Sequence, residues 1–159
     1  MYYSPRHFQP EEFFTRATVN DHKNRMPSIW RLIDSRITWT GDSIRDHFGC
    51  SVIVNNYLFG GNNEFRGYRP VIEIAVLEVI MGKTIITSKV GSFTSQHCQG
   101  RGIDFNLEKY TAEEVRQDIL KNPNAKRYRY VTALETGVSW VHIDCRHWDK
   151  SKGILTFQR

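Results

Sequence analysis

A chain of 159 residues with 40% hydrophobic and 25% charged residues is large enough for one folded domain. No run approaches the ~20 apolar residues of a membrane span, and the first residues lack the basic start and apolar core of a secretory signal. The net charge of +5 suits an anionic partner, but the basic residues are scattered and no nucleic-acid-binding motif accompanies them. We therefore expect no membrane insertion and no nucleic-acid partner.

Helix signals dominate the first third of the chain. Prolines and acidic or apolar residues predict short helices at residues 10–15 and 27–35. A third helix, at 41–48, is followed by Gly49, a common helix terminator. A strand is predicted at 50–55, and a loop rich in Gly and Asn follows it.

Strand signals dominate the second half. Residues 71–92 are interpreted as an added hairpin, although the first half of this segment is also long enough for a helix. A capping box predicts a helix over 111–121, and strands are predicted at 128–134 and 139–145, joined across a turn. The expected fold is a small single α+β domain, residues 1–159, with an antiparallel sheet flanked by helices.

Two segments carry residue types typical of a metal site. His97 and Asp104 lie in a glycine-rich stretch that enters a strand, and His142 lies in the last predicted strand. Because side chains alternate along a strand, Asp104 and His142 point away from their apolar neighbours, and the two polar faces can meet. Any one of these residues alone more often has a structural role. Together, two imidazoles and a carboxylate are the ligands of a catalytic zinc site with one position open to water, so the sequence favours a metal hydrolase.

The pattern SxHxxGxGxD followed by WVHID resembles the signature of the zinc D,D-carboxypeptidase and phage endolysin peptidase superfamily. This resemblance implies a Hedgehog-like fold and zinc ligands at His97, Asp104 and His142. It also implies that Arg69, in an upstream GxR element, binds the substrate or the developing oxyanion, with Arg66 as the alternative. The implied activity is cleavage of a peptidoglycan stem-peptide bond, of the D,D-carboxypeptidase or the L-Ala-D-Glu endopeptidase type.

Two positions depart from the family pattern. Gly102 stands where the motif usually has alanine. Ser139 stands three residues before the second zinc histidine, where several members have the glutamate that acts as general base. We expect Glu135, on the opposing limb of the predicted hairpin, to be this base, the alternative being an exposed turn residue. Asp144 is expected to orient one of the zinc histidines.

The resemblance further predicts a phage endolysin or a virion-associated lysin whose partner is a peptidoglycan peptide. An endolysin without a signal peptide accumulates in the host cytoplasm before its release to the cell wall or periplasm, whereas a virion-associated lysin would contact virion proteins. The alternative is a non-catalytic virion or cell-wall-binding protein that keeps the fold and perhaps the metal. Ser139 motivates this alternative, because general-base catalysis typically contributes about 10²- to 10⁴-fold to the rate.

Overall fold

Three α-helices and five β-strands build the part of the chain that the computed structural model describes, residues 3–70 and 95–158. The helices are α1 (Arg16–His22), α2 (Ser35–Phe48) and α3 (Ala112–Lys121). The strands are β1 (Val52–Ile53), β2 (Gly102–Leu107), β3 (Ala133–Glu135), β4 (Val141–Asp144) and β5 (Leu155–Phe157). The hairpin predicted at 71–92 lies outside the described residues. No helix within the two described ranges is both long and apolar enough to cross a membrane.

Side-chain caps fix where the two longer helices begin. Thr111 and Glu114 form the predicted capping box of α3, each accepting a hydrogen bond from the other residue's backbone N–H. Helix α2 begins six residues before its predicted start, because the Asp34 carboxylate accepts a hydrogen bond from the backbone N–H of Arg36. It ends where predicted, at Gly49, whose φ of 60° is in the left-handed region that favours glycine.

The two short helices predicted near the N-terminus differ from the observed structure. Residues 10–15 contain the 3-10 turn Pro10–Glu12, and residues 27–35 contain the 3-10 helix Ser28–Leu32. Both segments deliver aromatic rings to one core cluster, in edge-to-face contacts that hold the chain in short turns. The buried rings are those of Phe13, Phe14 and Trp30.

The strand predicted at 128–134 is also largely wrong. Its first residue, Tyr128, ends the 3-10 helix Lys126–Tyr128, and only its last two residues join β3. Tyr128 is fully buried, and its hydroxyl donates a hydrogen bond to Asp118 on α3. This contact holds the segment against a helix, so the sheet begins later. The strand predicted at 50–55 is likewise reduced to the two residues of β1.

The sheet has the order β1-β2-β4-β3-β5 and is mixed. The pairs β1–β2, β2–β4 and β3–β4 are antiparallel, as predicted, but β5 pairs parallel with β3. The prediction of an antiparallel sheet is therefore wrong at this edge. After β4 the chain turns back and passes to the far side of β3, so β5 runs in the same direction as β3.

Alternation along β2 and β4 gives the sheet one apolar and one polar face, as predicted. The apolar face packs against the helices and the N-terminal aromatic rings in one core cluster. Its fully buried members from the two strands are Ile103, Phe105, Val141 and Ile143. The polar face carries Asp104, His142 and Asp144, all of them buried. Burial of three ionisable side chains on one sheet face requires that they be paired with one another or with a ligand.

Candidate metal centre

Three side chains meet on the polar face of the sheet. Asp104 and His142 are direct partners in the β2–β4 register, and His97 reaches them from the turn that precedes β2. All three are buried. One ligand atom from each lies within 4.8 Å of the other two, an arrangement that can hold a metal ion. The three predicted ligands are thus brought together by the fold.

The separations between the ligand atoms can be compared with those of a metal site. His97 Nε2 lies 3.2 Å from His142 Nδ1 and 3.3 Å from Asp104 Oδ1. A tetrahedral zinc ion with bonds of 2.0–2.1 Å separates its ligand atoms by about 3.3 Å. The remaining pair, His142 Nδ1 and Asp104 Oδ1, is 2.6 Å apart, a hydrogen-bond distance. This pair would separate by about 0.7 Å to match the tetrahedral spacing.

A backbone carbonyl determines which nitrogen of His97 is free to bind. His97 Nδ1 lies 2.9 Å from the carbonyl oxygen of Gly67. A carbonyl oxygen only accepts hydrogen bonds, so Nδ1 carries the proton and Nε2 presents its lone pair to the other two ligands. Burial lowers the pKa of His97, which keeps the ring neutral and able to ligate. Gly67 was not identified from the sequence, because a backbone contact across 30 residues leaves no residue-type signal.

The carboxylate of Asp104 is shared by three partners. Its Oδ1 faces the two histidines, and its Oδ2 lies 2.7 Å from Arg69 Nη2. Burial alone would raise the pKa of Asp104, but the hydrogen bond with His142 and the adjacent His97 ring hold it well below its usual range. Burial would likewise lower the pKa of His142, and its hydrogen bonds to Asp104 and Asp144 raise it instead. Asp104 is therefore ionised at neutral pH, as a metal ligand must be.

Arg69 lies at the centre, in contact with a ligand. Besides its ion pair with Asp104, its Nε donates a hydrogen bond to the Phe65 carbonyl. Arg66, the alternative, is also close: its backbone carbonyl accepts a hydrogen bond from the Asp104 N–H, and its Nη1 lies 2.5 Å from Asn106 Oδ1. Both arginines border the site, and contact of either one with a substrate stays a prediction.

Glu135 lies beside His142 on the polar face. The β3–β4 register pairs Ala133 with Asp144 and Leu134 with Ile143, so the next position of β3 brings Glu135 opposite His142. Glu135 is 5% exposed, which excludes the alternative of an exposed turn residue. Its carboxylate has no hydrogen-bond or ion-pair partner among residues 3–70 and 95–158. It is thus available to a ligand or a water molecule in the site.

Asp144 contacts His142 on the side away from Asp104. Its Oδ2 lies 3.2 Å from His142 Nε2, which fits the expectation that it orients a histidine. Hydrogen bonds from His142 and Arg146 lower the pKa of Asp144 to about 2, against the opposing effect of burial. Arg146 and Phe157 were missed in the sequence; the Phe157 ring packs edge-to-face on His142, with 5.8 Å between the two ring centres. An arginine two residues after a buried aspartate is the signal that could have indicated the first of them.

The two departures from the family pattern have clear positions. Ser139 is exposed, and its backbone carbonyl accepts a hydrogen bond from Asn106. At Gly102, a methyl group would lie 3.1 Å from Gln96 Cβ and 3.3 Å from His142 Cε1, closer than the usual 3.5–4.0 Å between carbon atoms. Glycine at this position lets the His142 ring approach the β2 backbone closely.

No protein-family model, curated protein or solved structure matches this chain. The chemistry of the site therefore follows from its own geometry. A buried carboxylate, two imidazoles whose inward-facing nitrogens converge on it, and an adjacent carboxylate with no described partner form a site suited to a divalent metal.

Proposed function

We propose that this chain is a zinc-dependent peptidase that cleaves a peptidoglycan stem-peptide bond. The observation that carries the proposal is the convergence of His97 Nε2, Asp104 Oδ1 and His142 Nδ1 within 4.8 Å on one buried sheet face. Two imidazoles and one carboxylate leave one tetrahedral position open, which is the composition of catalytic rather than structural zinc sites. Borderline-soft imidazole ligands also favour zinc over calcium or magnesium, which prefer all-oxygen sites.

Zinc held by these residues would polarise the carbonyl under attack and lower the pKa of water to about 7. The chain's own groups supply the remaining functions. Glu135, beside His142 on the same face, takes the proton from the attacking water and returns it to the leaving amine. Arg69 fixes Asp104 through its Nη2, and its guanidinium borders the region where negative charge develops on the substrate.

The substrate class comes from the resemblance of SxHxxGxGxD and WVHID to the peptidoglycan peptidases. D-Ala-D-Ala and L-Ala-D-Glu bonds are the linkages that such enzymes cleave. The corresponding biological role is that of an endolysin that accumulates in the host cytoplasm before release to the cell wall, or of a lysin carried by the virion. The chain's net charge of +5 suits an anionic cell-wall surface.

The test is digestion of purified peptidoglycan, with and without a chelator, followed by mass analysis of the released fragments. Cleavage is expected with the wild type, and none with the chelator or with His142→Ala. The masses identify the bond, because loss of a terminal D-alanine and release of whole stem peptides give different products. If the wild type releases no more than His142→Ala, the peptidase proposal is refuted.

A second candidate is a non-catalytic virion or cell-wall-binding protein that keeps the metal. The observation that favours it is Ser139, an exposed residue that stands where the family often has its glutamate. This candidate predicts zinc-dependent sedimentation with insoluble peptidoglycan and no change in fragment masses. The position of Glu135 favours the enzyme, because a buried carboxylate beside a metal ligand is costly unless it has a role.

A further inference from the structure

His142 lies between two carboxylates that compete for its proton. On one side, Nδ1 is 2.6 Å from Asp104 Oδ1, and on the other, Nε2 is 3.2 Å from Asp144 Oδ2. A neutral imidazole carries one proton, so only one of these contacts can be an N–H donor at a time. The occupied nitrogen cannot bind a metal.

The two tautomers have opposite consequences for the centre. With the proton on Nδ1, His142 donates to Asp104, and this short hydrogen bond joins two of the three ligands to each other. With the proton on Nε2, His142 donates to Asp144, and Nδ1 presents its lone pair toward His97 Nε2, 3.2 Å away. Only the second tautomer leaves both inward-facing nitrogens free to ligate.

Arg146 holds Asp144 in the position that favours the second tautomer. Its Nη2 lies 2.5 Å from Asp144 Oδ2, its Nε 2.8 Å from Oδ1, and its backbone N–H also donates to Oδ1. The guanidinium lies over the Phe157 ring, 4.6 Å from its centre, and this ring packs against His142. Three donors on a fully buried carboxylate fix its rotamer, so Oδ2 stays directed at Nε2.

We propose that Asp144, clamped by Arg146, selects Nδ1 of His142 as the metal-binding nitrogen. The inference rests on the metal site of the proposed function, and it assigns both residues a positioning role. Hydrogen-bond partners of metal-binding histidines typically contribute about 10- to 100-fold to metal affinity. Because Nδ1 lies 2.6 Å from Asp104 Oδ1 in the metal-free structure, zinc must take the place of a proton there, and the clamp holds the acceptor for the ring's remaining proton at Nε2.

The chain contains a matched control for the clamp. Asp34 and Arg36 repeat the Asp-x-Arg geometry, with Nη2–Oδ2 and Nε–Oδ1 distances of 2.6 Å and 3.0 Å and the same backbone hydrogen bond. Asp34 caps α2, and within residues 3–70 and 95–158 its carboxylate hydrogen-bonds to Arg36 and to no histidine. A substitution of Arg36 therefore removes an equivalent ion pair outside the metal centre.

The experiment measures zinc affinity by competition with a chromophoric chelator for the wild type, Asp144→Asn, Arg146→Gln and Arg36→Gln. Asp144→Asn is expected to weaken binding about 10- to 100-fold and Arg146→Gln about tenfold, with Arg36→Gln equal to the wild type. Long-range ¹H–¹⁵N spectra of the zinc-loaded wild type should show His142 bound to zinc through Nδ1 and protonated at Nε2, the nitrogen that faces Asp144. In Asp144→Asn, whose amide can donate to Nε2, this Nε2 proton signal should weaken or disappear.

Unchanged zinc affinity in folded Asp144→Asn, or a zinc-loaded wild type in which His142 is protonated at Nδ1, would overturn the inference. The spectrum of the zinc-loaded wild type decides the question even if a variant does not fold. A wild type that binds no zinc would instead refute the proposed function, so the two failures are distinguishable. If Arg36→Gln lost as much zinc affinity as Arg146→Gln, the loss would be a general effect on stability, and the proposed role of Arg146 would be refuted.

Discussion

Zinc should stabilise the folded chain, and Asp104→Asn should remove most of that stabilisation. His142 is far in sequence from the other two candidate ligands, 38 positions from Asp104 and 45 from His97. The unfolded chain therefore presents no preformed site, and binding free energy becomes folding free energy. Asparagine keeps the shape of the side chain but replaces the ionised ligand oxygen with a neutral amide.

The expected size of the effect follows from linkage. Zinc at about 100 times its dissociation constant adds about 2.7 kcal/mol to the free energy of unfolding. For a chain of this size, each kcal/mol raises Tm by about 2–4 °C, so the wild type should gain about 5–11 °C. If Asp104→Asn weakens binding by about 100-fold, the same zinc concentration adds only about 0.4 kcal/mol.

The assay is thermal unfolding followed by circular dichroism, with and without zinc, for both proteins. The zinc-induced shift is compared rather than absolute stability, because Asp104→Asn also deprives Arg69 of its ion-pair partner. Asp46→Asn is the control, since it removes an exposed carboxylate 2.7 Å from His7, a surface pair that could also attract zinc. Equal shifts in the wild type and Asp104→Asn, or a shift abolished by Asp46→Asn, would refute the assignment of the centre.

Three further predictions concern catalysis, pH and backbone packing. Glu135→Gln should lower peptidoglycan cleavage about 10²- to 10⁴-fold while zinc affinity is unchanged; full activity would exclude Glu135 as the base. Burial would raise the pKa of Asp118, but hydrogen bonds from Tyr128 and a neighbouring arginine lower it. The ionised Asp118 therefore stabilises the fold at pH values above the pKa of the unfolded chain, and this stabilisation is lost as the pH falls through the lowered pKa of the folded chain. Urea unfolding at pH 7 and pH 3 should then show a smaller loss for Asp118→Asn than for the wild type, and equal losses would contradict this. Gly67→Ala would place a methyl group 2.1 Å from the Phe13 carbonyl oxygen. We expect it to lower the free energy of unfolding in urea by about 3 kcal/mol and to weaken zinc binding. A variant as stable as the wild type would contradict this, because it would show that the backbone can move.

Features that depend on local chemistry could be predicted from the sequence. The capping box of α3 and the glycine end of α2 were predicted correctly, because each is set by a few neighbouring residues. Alternation along β2 and β4 placed Asp104 and His142 on one face, because the side-chain period of a strand is two wherever the strand lies. The choice of the three candidate ligands followed from residue type together with the resemblance of their motifs to the zinc peptidases.

Features that depend on contacts between distant parts of the chain could not be predicted from the sequence. The 3-10 turns near the N-terminus, the short β3 and the parallel β5 follow from where buried rings and strand edges come together. Tyr128 illustrates the reason: its β-like sequence context is overridden by complete burial and a hydrogen bond to Asp118 on another element. Local propensity amounts to tenths of a kcal/mol per residue, whereas such buried contacts contribute several times more.

At the metal centre the same division holds. The sequence by itself determined the candidate donors, His97, Asp104 and His142, because metal chemistry selects side chains by their atoms. Only the tertiary structure decided which nitrogen of each histidine faces inward, since that depends on the Gly67 carbonyl and on Asp144. Hydrogen bonds orient an imidazole, and their partners are brought to it by the fold rather than by the sequence around it.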